Sequence, residues 1–208
     1  MDTPVLAMLL IQGGELLFDD ADLTLRSENI LIVDDGRLTV GTEDSPFMYD
    51  ATIELHGQLR SPELPIYGAK CLAIREGELN LHGKPLRMTW TRLSSTAVAG
   101  STQIELEWGQ ADWPVGGTIA IATTGDRHSQ IETELRNITA ISNDGKMISF
   151  SEPLEYEHLG VTEELGGGHT LEMRAEVALL SRNVRVIGSR DIQWSDEIEA
   201  CPDGFDTG

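Results

Sequence analysis

Short apolar segments separated by glycine turns recur along the first part of the chain. The phrase IQGGELLF at Ile11–Phe18 returns as VDDGRLTV at Val33–Val40, as ELHGQLRS at Glu54–Ser61 and as IREGELNL at Ile74–Leu81. After each glycine, apolar and polar residues alternate, which is the period of a β-strand with one buried face. A second apolar segment precedes each glycine. The pattern therefore predicts β-strands throughout this part of the chain.

The four phrases align on a glycine that is followed, two positions later, by a leucine. The glycines are Gly14, Gly36, Gly57 and Gly77, and the leucines are Leu16, Leu38, Leu59 and Leu79. Two architectures explain the pattern: a row of hairpins, or a parallel β-helix with one coil for each repeat of about 21 residues. Hairpins need no constant period, whereas a solenoid does. We therefore expect a parallel β-helix, with the glycines at equivalent corners and the leucines in one inward stack.

The repeat ends near the segment Met88–Leu93, and the following strand-like segments show no echo of it. Turn signals such as Asn143–Gly145 join them, which favours a compact antiparallel insertion. Alternating strands resume at Ala175–Asp191. We predict an all-β chain in three parts: solenoid coils in residues 1–93, an antiparallel β insertion and loop in 94–170, and a resumed coil with an acidic tail in 171–208.

Charge narrows the choice of partners. Among 208 residues, 35 are Asp or Glu and only 15 are Lys or Arg, for a formal net charge of −20. Such a surface repels phosphate backbones and anionic lipid, so no nucleic-acid partner is expected. No apolar run reaches membrane-spanning length, so we expect no membrane insertion by this chain. Cys71 and Cys201 lie far apart and form no zinc motif, so the cysteines indicate neither a disulfide framework nor a metal site.

The segment Gly125–Glu134, with the sequence GDRHSQIETE, carries the candidate chemistry. His128 is expected in a loop, and alternation would place Glu132 and Glu134 on one face of a strand. A histidine beside two carboxylates can serve as a general acid and base. The same residues also fit an exposed loop beside a charged edge strand, which protects against aggregation. They are therefore weak catalytic candidates, and we expect no catalytic residue, cofactor or metal.

Two histidines, the acidic turns and one sequon are further polar features that could bind a metal ion or carry a glycan. His56 and His82 each precede a glycine, and acidic turns such as Phe18–Asp22 could offer carboxylates to Ca²⁺. We expect exposed corner histidines and solvated turns rather than metal ligands. The sequon NIT at Asn137–Thr139 makes Asn137 an acceptor for N-glycosylation if the chain is secreted.

Several segments, in order, resemble the eight-glycine or G-eight domain, which occurs in fibrocystins and in two cell-surface or secreted hyaluronidases. They are Leu59–Lys70, Glu78–Gly83, Trp90–Leu93, Asp112–Thr124, His128–Glu134 and Ala175–Gly188. The resemblance runs from about Asp2 to Gly188. It implies an all-β domain leading into a right-handed parallel β-helix, within a large secreted or membrane-tethered protein. The family's opening strands are missing before Asp2, so we expect Met1 to begin a fragment. Gly117 also stands where the family usually has an acidic residue.

Two functions follow from the resemblance. The first is a non-enzymatic extracellular structural and ligand-contact module of a fibrocystin-type cell-surface protein. Its partners would be adjacent domains of the parent chain and an extracellular protein or glycan. The alternative is part of an enzyme that binds or depolymerises hyaluronan. Because a net charge of −20 opposes binding to a polyanion, the sequence favours the module.

Overall fold

The computed structural model describes residues 2–58, 61–109 and 111–190. Within them, the chain forms β-strands and one short 3₁₀ helix, Ser129–Glu132, which confirms the all-β prediction. In chain order the strands are β1 Leu9–Gln12, β2 Glu15–Leu17, β3 Leu23–Ser27, β4 Ile30–Val33, β5 Arg37–Val40, β6 Ala51–Leu55, β7 Leu72–Arg75, β8 Glu78–Leu81, β9 Trp90–Arg92, β10 Gln103–Glu105, β11 Thr118–Ile121, β12 Glu134–Ile141, β13 Met147–Phe150, β14 Gly160–Gly166, β15 His169–Arg174, β16 Glu176–Leu179 and β17 Val184–Gly188.

The chain divides into two compact units. The first unit comprises Met1–Lys84 and Arg182–Gly208, and the second comprises Pro85–Ser181. The sequence predicts boundaries after residues 93 and 170 instead. The second boundary differs because β16, which looks from its alternation like a resumed coil, pairs antiparallel with β11 and β9. The return to parallel pairing comes later, at β17.

Three parallel sheets of three strands each build the first unit: β1-β4-β7, β2-β5-β8 and β3-β6-β17. Strands that follow one another in the chain lie in different sheets, and each strand pairs with the corresponding strand of the next repeat. Leu9 thus lies opposite Ile30, and Ile30 lies opposite Leu72. The alternation in the sequence sends one set of side chains inward. Their core consists of Ile11, Phe18, Leu25, Ile30, Ile32, Leu38, Val40, Phe47, Ala51 and Ile53.

The predicted leucine stack holds for three of its four members. Leu16 lies opposite Leu38, and Leu38 lies opposite Leu79, so the fully buried Leu38 is central. Leu59 lies outside the described residues. Gly57 follows β6, which ends at Leu55, rather than standing between the first and second strands of a repeat. Residues 56–71 then lead to β7, so one repeat is longer than the constant coil of about 21 residues that the sequence suggests.

Gly14, Gly36 and Gly77 precede β2, β5 and β8, where backbone bonds join one repeat to the next. The amide of Arg37 donates to the Gly14 carbonyl at 2.8 Å, and the amide of Glu78 donates to the Gly36 carbonyl at 2.9 Å. At Gly36 a Cβ atom would lie 2.3 Å from the carbonyl oxygen of Ile11. Only glycine therefore allows the chain to pass so close to the previous repeat.

The second unit is built on an antiparallel sheet with the order β10-β13-β12-β11-β16-β9. Its inward side chains form a separate core that includes the fully buried Ile119, Ile121, Ile148 and Val177. The sheet curls until its edge strands meet: the amide of Ser94 donates to the Glu105 carbonyl at 2.8 Å. In return, the amide of Glu107 donates to the carbonyl of Arg92 at 2.7 Å.

The hairpin of β14 and β15 forms a two-stranded sheet of its own within the second unit. Arg174 anchors its base, since Nη1 donates to the carbonyl oxygens of Leu93 and Ser94 at 3.0 and 2.7 Å. Nη2 of the same guanidinium donates to the Thr162 hydroxyl at 2.9 Å, and Nε pairs with Glu172 at 2.7 Å. One partly buried guanidinium group therefore ties the hairpin to the curled sheet.

Candidate functional site

The three acid/base candidates from the sequence lie in different environments within the second unit. His128 is exposed and precedes the 3₁₀ helix, where its Nε2 accepts a hydrogen bond from Nε of Arg127 at 3.0 Å. Glu132 ends that helix, and Glu134 begins β12. The expectation that both glutamates share one strand face is therefore wrong, because the chain is helical at Glu132 and extended only from Glu134.

Glu134 is buried and its carboxylate is fully engaged. Its oxygens accept hydrogen bonds from the backbone amides of Glu155, at 2.9 Å, and of Tyr156, also at 2.9 Å. His158 lies 3.0 Å from Oε1, and the guanidinium of Arg136 contacts Oε2. Burial alone would raise the pKa of the Glu134 carboxyl. The two backbone amides, His158 and Arg136 outweigh burial, so the pKa lies below the ordinary value of 4.5.

His158 is fully buried and bridges two parts of the sheet. Nδ1 lies 2.9 Å from the carbonyl oxygen of Ala122, which follows β11, and Nε2 faces the Glu134 carboxylate. The backbone on either side of the ring is also fixed. The amide and carbonyl of His158 pair with Ala97, and the amide of Leu159 donates to the Thr124 hydroxyl at 2.9 Å. Both ring nitrogens thus face acceptor oxygens inside the protein.

Arg136 completes the cluster. Besides contacting Glu134, it donates from Nε to the Glu152 carbonyl at 3.1 Å and from Nη2 to the Pro153 carbonyl at 2.7 Å. Residues 152–158 lie in the connection between β13 and β14, so the side chains of Glu134, Arg136 and His158 all fix this one segment.

A glutamate and a histidine in contact could exchange a proton. Here, however, both are buried and all their polar atoms meet partners within the fold. The geometry fits a cluster that fixes this connection.

The sequence offers one signal for part of this cluster. In β12, Glu134 and Arg136 alternate with exposed residues and share the inward side of Ile138. Charged residues at inward positions of a strand need partners, and this could have directed attention to Arg136. His158 has no such signal, because its segment carries no motif and its partners lie more than twenty residues away.

The remaining candidates are exposed or only partly buried. Asn137 lies on the outer face of β12, where its Oδ1 accepts a hydrogen bond from the Thr118 hydroxyl at 2.9 Å. In the first unit, Nε2 of His56 lies 3.5 Å from Oε2 of Glu54, which Arg26 also contacts at 3.0 Å.

Within residues 2–58, 61–109 and 111–190, no cluster of three or more His, Cys, Asp or Glu side chains is arranged to hold a metal ion. Over the same ranges, no helix has the length and apolar character of a membrane span.

Comparison with known proteins places the chain among its relatives. Residues 1–94 match the sequence model of the G8 domain. The chain is 56% identical to human Fibrocystin-L over 206 residues, which is 99% of this chain and 5% of that protein. It is 34% identical to Fibrocystin of the dog over 99% of its length, again 5% of the relative.

A G8 domain-containing protein of Dictyostelium discoideum is 32% identical over 82% of this chain and 14% of its own length. The chain thus spans a small fraction of each of these large relatives. Similarity extends well past residue 94, so it includes the curled sheet as well as the parallel sheets. The chain contains a G8 domain and is, over nearly its whole length, a fibrocystin-L-like sequence.

Proposed function

We propose that this chain is a non-enzymatic structural and contact module of a large extracellular protein, and that its three parallel sheets are the three faces of a right-handed β-helix, with one strand from each coil in each sheet. The observation that carries the proposal is the position of β7, β8 and β17. Each is the last strand of its parallel sheet among the described residues. Over residues 2–58, 61–109 and 111–190, these strands have no further neighbour in their sheets, so they leave three strand edges at one end of the ladder. A further coil stacks on edges of this kind.

The relatives support a role within a longer chain. Human Fibrocystin-L matches this chain over only 5% of its length, so most of that protein lies outside the matched region. A parallel ladder of three strands per sheet buries few of its own edges. Further β-helix coils from the same parent would complete the pairing of β7, β8 and β17 and would make this segment part of an extended scaffold.

The geometry of the acid/base candidates favours the module over a hyaluronan-degrading enzyme. His128 is exposed and contacts Arg127, whereas Glu134 is buried and holds the β13–β14 connection. The two side chains therefore have different contacts, and these contacts do not bring them together as an acid and a base. A polyanion would also meet a chain with a net charge of −20.

Backbone hydrogen exchange tests the stacking proposal. In this chain, the amides at the open edges of β7, β8 and β17 should exchange faster than those of the central strands β4, β5 and β6. In a longer fragment that includes the parent residues after Gly208, the same edge amides should become protected. Unchanged exchange at all three edge strands in the longer fragment would contradict the proposal, and the central strands provide the internal control.

Glycosylation tests the extracellular proposal separately. Asn137 is exposed on β12, and its sequon partner Thr139 is exposed as well. The chain secreted from mammalian cells should carry a glycan at Asn137 that a glycosidase removes, with the matching change in mass. Asn137→Gln should abolish that change. Secreted protein with an unmodified Asn137 would count against this assignment.

A further inference from the structure

Two tryptophan side chains lie together on the outside of the second unit. Trp90 belongs to β9 and Trp108 follows β10, and each residue is 48% exposed. Their ring centroids are 6.2 Å apart, with the ring planes tilted by 57°. The strand period explains their position: Thr91 points inward and is fully buried, so Trp90 and Arg92 point outward. Paired, exposed indoles of this size are typical of a contact site.

A charged pair lies beside the indoles. Nε of Arg92 is 3.0 Å from Oε2 of Glu107, and the Arg92 guanidinium lies 5.8 Å from the ring centroid of Trp108. The side chains of Arg92 and Glu107 are 31% and 26% exposed. The bond uses one N–H group and one carboxylate oxygen, so each side chain keeps further hydrogen-bonding capacity. A donor group and an acceptor group therefore stand side by side next to an aromatic surface.

A groove of about 620 Å³ runs along these rings. It is lined by Leu86, Arg87, Met88, Thr89, Trp90 and Trp108. The backbone of the groove is held from within, because Nε1 of the buried Trp113 donates a hydrogen bond to the carbonyl of Met88 at 2.8 Å. The indoles and their flanking wall thus form a largely preformed surface, as expected of a ligand site.

We propose that this surface, termed the tryptophan groove, binds a sugar ring of an uncharged glycan. A pyranose ring has an apolar face of C–H groups, which suits the faces of Trp90 and Trp108. Its neighbouring hydroxyls each donate and accept hydrogen bonds. They match the guanidinium N–H groups of Arg92 and the carboxylate of Glu107, which are held next to each other.

The same groups disfavour other occupants. A proline-rich peptide offers carbonyl acceptors and an apolar surface, but its prolines have no backbone N–H to donate to the Glu107 carboxylate. An anionic glycan would approach a protein with a net charge of −20. An uncharged, hydroxyl-rich ligand is compatible with the indoles, with the charged pair and with the overall charge.

NMR of the chain with ¹⁵N-labelled tryptophan indoles tests the proposal directly. The probes are cellohexaose, mannohexaose and chitohexaose, titrated separately. The signals of Trp90 and Trp108, assigned from the two Trp→Phe variants, should shift with at least one probe, and the signal of the buried Trp113 should stay in place. No shift of either exposed signal with any of the three probes would overturn the proposal.

Variants identify the groups that bind. Trp90→Ala and Trp108→Ala should each weaken binding by about tenfold or more, the size expected when an aromatic anchor is removed. Glu107→Gln should weaken binding while keeping both rings. Ile131→Ala is the control, because it truncates an apolar side chain that is 83% exposed on the same unit, and it should bind normally. An unchanged Trp113 signal shows that each variant is folded.

Two further outcomes would also overturn the proposal. Shifts of Trp90 and Trp108 with a proline-rich peptide, and none with the sugars, would make the groove a peptide site. Shifts that depend on protein concentration without any added probe would make it a contact between two copies of the chain. If the alanine variants fail to fold, Trp90→Phe and Trp108→Phe keep an aromatic ring and should show weakened binding to the same sugar.

Discussion

Nε2 of His158 lies 3.0 Å from Oε1 of Glu134, and Nδ1 of the same ring lies 2.9 Å from the carbonyl oxygen of Ala122. The imidazole therefore links the first residue of β12 to the end of β11, and its own backbone belongs to the connection between β13 and β14. Because the ring is fully buried, no water competes for these bonds. A single histidine thereby joins three parts of the curled sheet.

Glu134→Gln should destabilise the second unit by about 3 kcal/mol, the range found when one partner of a buried ion pair is removed. The substituted amide keeps the size of the side chain but loses the charge. Its NH₂ group must also face one of the N–H groups from which the Glu134 carboxylate now accepts a hydrogen bond. Urea unfolding followed by tryptophan fluorescence measures the change.

Glu132→Gln provides the matched control, because Glu132 lies two residues away, is half-buried and ends the 3₁₀ helix. Its Oε2 meets only the Thr123 hydroxyl, at 3.5 Å, among the bonds of the described residues. The change should alter stability by less than about 1 kcal/mol. Equal losses at both positions would show that the buried cluster has no special role.

The lowered pKa of the Glu134 carboxyl predicts how the free energy of unfolding changes with pH. In the folded protein the pKa of Glu134 lies below its ordinary value of 4.5, mainly because backbone amides, His158 and Arg136 outweigh the effect of burial. The unfolded chain therefore takes up this proton first, and the stabilisation is fully present above the ordinary pKa. It should be lost as pH falls through the folded pKa.

Unfolding free energies measured from about pH 6 to about pH 3 check this expectation. The wild-type chain should lose more stability over that range than Glu134→Gln, which has no carboxyl to protonate at this position. Surface carboxyls such as Glu172 also have a lowered pKa, chiefly through the Thr162 hydroxyl and Arg174. They are present in both proteins, so the difference isolates Glu134. Identical pH profiles would contradict the assignment.

Leu38→Ala should destabilise the first unit by about 2–5 kcal/mol, the usual cost of truncating a core leucine. Leu38 is fully buried between Leu16 and Leu79, so the shortened side chain would leave a cavity inside the ladder. Thermal or urea unfolding measures the loss. Leu17→Ala is the control on the neighbouring strand, because Leu17 is 62% exposed. A loss below about 1 kcal/mol at Leu38 would argue against the leucine stack.

Gly36→Ala should destabilise the same unit more than Gly14→Ala does. A Cβ atom at Gly36 would lie 2.3 Å from the Ile11 carbonyl oxygen and 2.8 Å from that of Val33, and neither backbone atom can move freely. At Gly14 the nearest atom would be 3.9 Å away, which is ordinary contact. We expect a loss of about 1–3 kcal/mol at Gly36 and a small change at Gly14. Equal effects in urea unfolding would show that the corner can relax.

Local alternation was enough to predict the β-strands and most of the leucine stack. Leu16, Leu38 and Leu79 follow equivalent glycines, and parallel pairing places them opposite one another. The same pattern misplaced Gly57, because a glycine two residues after the end of β6 resembles a corner glycine in sequence. The number of residues in a loop does not depend on alternation, so the long connection of residues 56–71 was not predictable.

The buried cluster was harder to predict than the fold. Glu134 and His158 meet because the sheet curls and because residues 152–156 bind to the side chains of Glu134 and Arg136. Periodicity describes one strand at a time and contains no information about such pairing. The tryptophan groove has the same origin, since Trp90 and Trp108 meet only where β9 and β10 close the sheet.

The final prediction concerns activity: the chain should neither cleave hyaluronan nor bind it strongly at physiological salt. The net charge of −20 gives no long-range attraction to a polyanion, and screening by salt can only weaken the repulsion. Of the three acid/base candidates, Glu134 is buried and occupied by Glu155, Tyr156, His158 and Arg136, while His128 lies exposed beside Arg127.

A size-distribution assay on hyaluronan of high molecular mass decides the matter. The polymer should keep its length after incubation with the chain, and His128→Ala should behave in the same way. Shortening of the polymer that disappears in His128→Ala, but persists in the matched surface variant Gln130→Ala, would establish an enzyme. In that case His128 would act as the acid or base without Glu134, because the Glu134 carboxylate is buried and already engaged by two backbone amides, by His158 and by Arg136.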